Sequence, residues 1–152
     1  MRRVIIGLIV GVFFCQLAHA KPSSIPLERD TAIRAVIGEA EKEGYRGMLL
    51  VACALYNRGT FKGVYGHTAV RWSGQGLYRY SGARKWPIEP STWQLASKAW
   101  EEAQRGPDES LGATIWQSKA DLDYAVKHET MDFDKLECTV IHKGHYFFKE
   151  IQ

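Results

Sequence analysis

Glu39 and Glu43 are the residues of this chain whose type and setting could do acid–base chemistry. They fall in the stretch Ile33-Arg-Ala-Val-Ile-Gly-Glu39-Ala-Glu-Lys-Glu43-Gly-Tyr45-Arg-Gly47. Ile33, Val36, Ile37 and Ala40 recur at helical spacing, so one face of this segment packs against a core. Glu39 lies beside that face, and the spacing puts Glu43 one turn on, on the same side. A carboxyl at the edge of an apolar surface has its charged form disfavoured, the condition under which it can hold and deliver a proton near neutral pH. An ordinary amphipathic helix with two solvated glutamates fits the same pattern, since charged pairs at this spacing are common on helix surfaces.

The elements that must position these carboxyls can be read from capping signals and periodicity. Asp30 or Thr31 is the expected N-cap of the first helix and Gly44 its stop. A second helix is predicted over 46–58, wholly apolar from Met48 to Leu55 and therefore central in the core, with Gly59 ending it. Residues 59–90 hold six glycines, Gly59, Gly63, Gly66, Gly74, Gly76 and Gly82, and read as an irregular segment. Tyr65, Trp72, Tyr78, Tyr80 and Trp86 lie within it. Their faces either patch the core from outside or form a wall on which pyranose rings stack. A third helix follows Pro90 with Ser91 as N-cap and Trp93, Leu95, Ala96, Ala99, Trp100 and Ala103 on its buried side, up to Gly106-Pro107. Cys138, Val140 and His142 alternate with Thr139 and Ile141 before Lys143-Gly144 and Tyr146-Phe-Phe148, which reads as a β-hairpin. Ala113–Trp116 is a further short strand. The class is α+β, mainly helical.

These motifs, taken in order, resemble the SleB-type cell-wall hydrolase family. Gly38-Glu39-Ala40, Glu43, Gly44-Tyr45-x-Gly47, an apolar helix and Asn57-Arg58 carry the first and most specific part. Trp86-Pro-Ile-Glu-Pro-Ser-Thr-Trp93, Gly106 to Trp116, and Ile141-His-Lys-Gly-His145-Tyr-Phe147 continue it, so the likeness spans about Leu27 to Lys149. It implies a compact lysozyme-like fold and cleavage of peptidoglycan glycan strands between N-acetylmuramic acid and N-acetylglucosamine. It further implies a lytic transglycosylase-like route in which the single Glu39 serves as acid and then base. Glu43, Tyr45, Asn57 and Trp116 are matched positions expected to bind substrate or support Glu39. The chain departs from the family after the second helix, where the usual Gln-Phe segment is not found and Gln75 and Tyr78 are its loose replacements.

The N-terminus sets the expected compartment. Met1-Arg2-Arg3 is basic, Val4 to Cys15 carries no charge, and Ala18-His19-Ala20 offers small residues where a signal peptidase reads. The run is shorter than the roughly 20 apolar residues of a membrane span. Residues 1–20 are therefore read as a cleaved export signal, 21–26 as a flexible leader and 27–152 as one domain, a monomer of the periplasm, cell envelope or extracellular space. Loss of Arg2 and Arg3 takes the net charge from +3 to +1, which leaves no basic footprint for nucleic acid. Cys53 and Cys138 remain and are expected to stay unbridged, Cys53 as a small buried hydrophobe. His67, His128, His142 and His145 lack the i, i+4 spacing of a helical zinc site, so no metal and no cofactor is expected. Two alternatives stay open: a Cys–His peptidase on stem peptides, which mid-helix Cys53 suits poorly, and a glycan-binding module without catalysis.

Overall fold

The computed structural model describes residues 27–151. The export signal and leader read from the sequence lie outside the described residues. Helix α1 spans Arg29–Ala40, α2 Gly44–Arg58, α3 Gly66–Ala69, α4 Pro90–Arg105 and α5 Lys119–His128. Strands β1 (Val70–Ser73), β2 (Gly76–Ser81) and β3 (Arg84–Pro87) form one antiparallel sheet in sequence order. Strands β4 (Ile115–Ser118), β5 (Leu136–His142) and β6 (His145–Glu150) form a second, with β6 in the middle. The class is α+β and mainly helical, as the sequence predicts. No helix among the described residues is long and apolar enough to cross a membrane.

The core is built on α2. Gly47 to Leu55 are all buried, and α1 and α4 pack on this helix with Ile33, Val36, Ile37, Ala96, Ala99 and Trp100. Each sheet adds its own plug: Val70 and Leu77 from the first, Phe147 from the second. Leu95, predicted on the buried side of α4, is exposed instead, because it lies off the stripe marked by Ala96, Ala99, Trp100 and Ala103.

Three local expectations are corrected. The α1 cap is Glu28, whose carboxylate accepts from the backbone N–H groups of Asp30 (2.9 Å) and Thr31 (2.7 Å). Pro90 is already the first residue of α4 and Glu89 its cap position, so Ser91 lies inside the helix. The segment 59–90 is not irregular: it folds into α3 and the whole first sheet. Gly74 and Gly82 serve the strand turns, taking φ of +60° and +57° between paired strands. The hairpin around Lys143-Gly144 forms as predicted, and the 113–116 strand appears as β4.

Cys53 is buried in mid-α2 and Cys138 is exposed on β5, and no disulfide joins them. Truncation of a packed thiol leaves a small void, so Cys53→Ala should lower the unfolding free energy by about 1 kcal/mol. Urea denaturation checks this, and a loss within experimental error of zero would show that the site collapses around the missing sulfur.

Candidate functional site

The placement of Glu39 depends on a glycine beside it. Gly38 and Gly66 bring α1 and α3 into backbone contact: a Cβ on Gly38 would lie 2.2 Å from the Gly66 Cα, and one on Gly66 would lie 2.5 Å from the Ala35 carbonyl oxygen. At that approach the Gly66 N–H donates to Glu39 Oε1 at 2.8 Å. The Trp116 indole N–H, arriving from β4, donates to Oε2 at 3.3 Å. The carboxyl is thus gripped from two sides by elements far apart in sequence.

Around it lies a cleft of about 470 Å³ lined by Glu39, Arg58, Tyr65, Trp116, Asp121 and His145, among others. Tyr65 is 74 % exposed and stands at the rim, its ring offered to solvent. Asp121 is exposed and tied to Ser118, whose hydroxyl donates to its Oδ2 at 2.6 Å in the cap of α5. A cleft with aromatic walls and a few fixed polar groups suits a ligand that has apolar faces and hydroxyl edges.

The predicted residues separate into groups. Glu39 and Trp116 meet in the cleft. Glu43 does not continue the helix of Glu39: α1 stops at Ala40, residues 41–43 make a 3-10 turn, and Gly44 follows at φ +72°. Glu43 instead turns toward the β5–β6 hairpin, its Oε1 3.5 Å from His145 Nδ1. Tyr45 lies outside the cleft. Its hydroxyl donates to Glu102 of α4, and burial followed by that bond pushes the phenol up to about 12. Gln75 and Tyr78 lie outside the cleft lining, as do Trp72, Tyr80 and Trp86 of the aromatic segment. Trp72 packs edge-on to Trp93 and donates to Asp30 at 2.8 Å. Neither Cys53 nor Cys138 lines the cleft, and among the described residues no group of three His, Cys, Asp or Glu side chains could hold a metal ion.

Asn57 is a support. Its amide donates to Asp108 Oδ2 (2.8 Å), Ser110 Oγ (3.2 Å) and the Ala113 carbonyl (3.1 Å), fixing the loop that leads into β4 and hence Trp116. The carboxyl of Asp108 also accepts from the Ser110 N–H and hydroxyl and from the Gly112 N–H. Burial works against its charge, but the donors from Ser110, Asn57 and Gly112 outweigh burial and hold it below the usual aspartate range. Sequence reasoning missed Asp108, Asp121 and His145 as site residues. For Asp108 the signal was the Gly-Pro-Asp-x-Ser run at 106–110, an Asp poised to fold back on its own loop, and for His145 its place in the Ile141–Phe147 motif.

No protein-family profile, curated protein or solved structure matches the chain.

Two outcomes are expected from this geometry. Gly38→Ala forces backbone apart at the α1–α3 contact and should cost about 1–3 kcal/mol in urea unfolding. Unchanged stability would show that the two backbones part without cost. Because Asp108 has a lowered folded pKa, its contribution is present above the unfolded value of about 3.9 and is lost as pH falls through the folded value. Acid unfolding of Asp108→Asn should therefore show a shallower fall in stability below that value than the parent, and parallel curves would contradict the role.

Proposed function

We propose that this protein cleaves the glycan strands of peptidoglycan between N-acetylmuramic acid and N-acetylglucosamine, with Glu39 as the acid. The observation that carries the reading is the Glu39 carboxyl, fixed by Gly66 and Trp116 in the cleft walled by Tyr65 and the second sheet. The likeness of the Gly38-Glu39-Ala40 to Asn57-Arg58 pattern to SleB-type hydrolases supports it. So does an aromatic lining suited to sugar rings.

In this scheme Glu39 gives its proton to the departing glycosidic oxygen as the bond from C1 to that oxygen breaks. The C6 hydroxyl oxygen of the muramoyl residue then bonds to C1, and its proton returns to the Glu39 carboxylate, closing an anhydro ring. Each carboxyl oxygen has two lone-pair sites, so Oε2 can carry the proton while still accepting from the indole. The longer of the two bonds, 3.3 Å against 2.8 Å, leaves Oε2 the freer oxygen.

Glu39→Gln removes the transferable proton and should lower the rate by about 10²–10⁴-fold. Mass spectrometry of digested sacculi reads the products directly, with circular dichroism as the folding control. Anhydro-muramic ends support this route, reducing ends mean hydrolysis, and cut peptides would transfer the activity to another chemistry. A wild-type protein that binds glycan strands and releases nothing would leave a binding module with Tyr65 and Trp116 as its platform.

A further inference from the structure

We propose that His145 is a sugar-recognising residue of the cleft, presenting Nε2 as an acceptor for a hydroxyl or N-acetyl N–H donor, and that Glu43 positions it. The inference rests on the glycan-strand reading for the class of ligand.

His145 opens β6 and lines the same cleft as Glu39. Its Nδ1 is buried, makes no hydrogen bond, and lies 3.5 Å from Glu43 Oε1, with both side chains below one-fifth exposed. Glu43 Oε2 and His142 Nε2 are likewise buried and unbonded. Unsatisfied buried polar atoms are rare in folded proteins, and each calls for a partner or a role. Three of them, on Glu43, His142 and His145, gather around the one of these residues that lines the cleft, His145.

The two nitrogens of His145 have different surroundings. A carboxylate accepts hydrogen bonds and cannot donate when ionised, so the nitrogen facing Glu43 is the one that carries hydrogen in the neutral ring. The proton on Nδ1 leaves Nε2 with its lone pair, and Nε2 is the nitrogen absent from the buried set. A small tightening from 3.5 Å would close the Nδ1–H bond to Glu43. Glu43 is itself held, since Lys143 Nζ donates to its carbonyl at 3.1 Å and a Cβ on Gly47 would collide with its side chain. The wall therefore offers an acceptor, matched to the O–H and N–H donors that line the edge of an N-acetylated sugar.

Two measurements test this on the full-length chain. Nitrogen-15 NMR of the neutral His145 ring should report hydrogen on Nδ1, and Glu43→Ala should shift the ring toward the other tautomer while Glu43→Gln, whose amide oxygen still accepts, should not. Titration with chitotetraose should move the His145 Nε2 signal, and His145→Phe should weaken binding about three- to tenfold, the worth of one hydrogen bond. Hydrogen on Nε2 in the wild type, or chitotetraose binding unaffected by His145→Phe, would overturn the proposal. Failure to bind chitotetraose at all overturns it as well. Binding that depends on His145 in a protein that cleaves no sacculi would uphold this inference while the catalytic reading of Glu39 fell.

Discussion

The contact between Gly38 and Gly66 governs the rest of the site, because everything that reaches Glu39 from the first half of the chain reaches it there. Two helices whose backbones touch can exchange a main-chain hydrogen bond with a side chain one residue away, and Glu39 is that side chain. A four-residue helix has no stability of its own. Helix α3 persists because its first N–H is taken by a carboxylate and its body lies on α1. The glutamate thus holds the segment that forms its own cleft, and Tyr65, next to Gly66, is carried to the rim by the same bond.

Two arginines secure the remainder of that segment. Arg34 on α1 donates to the carbonyls of His67 (2.7 Å) and Val70 (3.1 Å), which fixes the junction of α3 and β1. Arg79 on β2 donates to the carbonyls of Ile37 (2.9 Å) and Gly38 (3.2 Å), satisfying the C-terminal end of α1, and pairs with Glu41. These bonds join residues more than thirty positions apart. No local pattern announces them, and this is why residues 59–90 read as irregular from sequence. The helices α1 and α4 were legible because each carries a burial stripe at helical period, α2 because it is an unbroken apolar run closed by Gly59, and the β5–β6 hairpin because Lys143-Gly144 falls between extended runs. The place of Glu39 was legible from the α1 stripe beside it, whereas a chemical role for it came only with the family resemblance. Helix α1 ends at Ala40, four residues short of the stop expected at Gly44, and this early end, which turns Glu43 away, had no local signal.

The second sheet carries one face from core to cleft. Cross-strand partners place their side chains on the same side, so Trp116 and Phe147 share a face with Ser118 and His145 two residues on. Phe147 is buried in the core, whereas Ser118 and His145 line the cleft. Packing of Phe147 therefore sets how far Trp116 and His145 project toward Glu39. The bulge between Cys138 and Val140 adds a second restraint, with the Thr139 hydroxyl donating to the Ser110 carbonyl at 2.8 Å. That bond and the Asn57–Asp108 network meet on one loop at Ser110, so the indole of Trp116 inherits its position from a polar cluster outside the cleft.

The grip on Glu39 also bears on how its amide variant behaves. Gly66 and Trp116 both present donors, and an ionised or protonated carboxyl can accept from both. A glutamine can accept from only one: with its oxygen toward Gly66, the amide nitrogen faces the indole N–H, two donors at a separation of 3.3 Å in the parent. Glu39→Gln therefore does more than remove a proton. It leaves one donor unpaired, at a cost of about 1–3 kcal/mol if the site stays dry and less if water enters. The indole would then swing from Oε2 and alter the wall on which a sugar ring packs. Trp116→Phe separates these effects, because it deletes the competing donor and keeps an aromatic face. In the Trp116→Phe background the stability cost of Glu39→Gln should shrink while the loss of proton transfer remains, so a double-mutant cycle divides the structural duty of Glu39 from its chemistry.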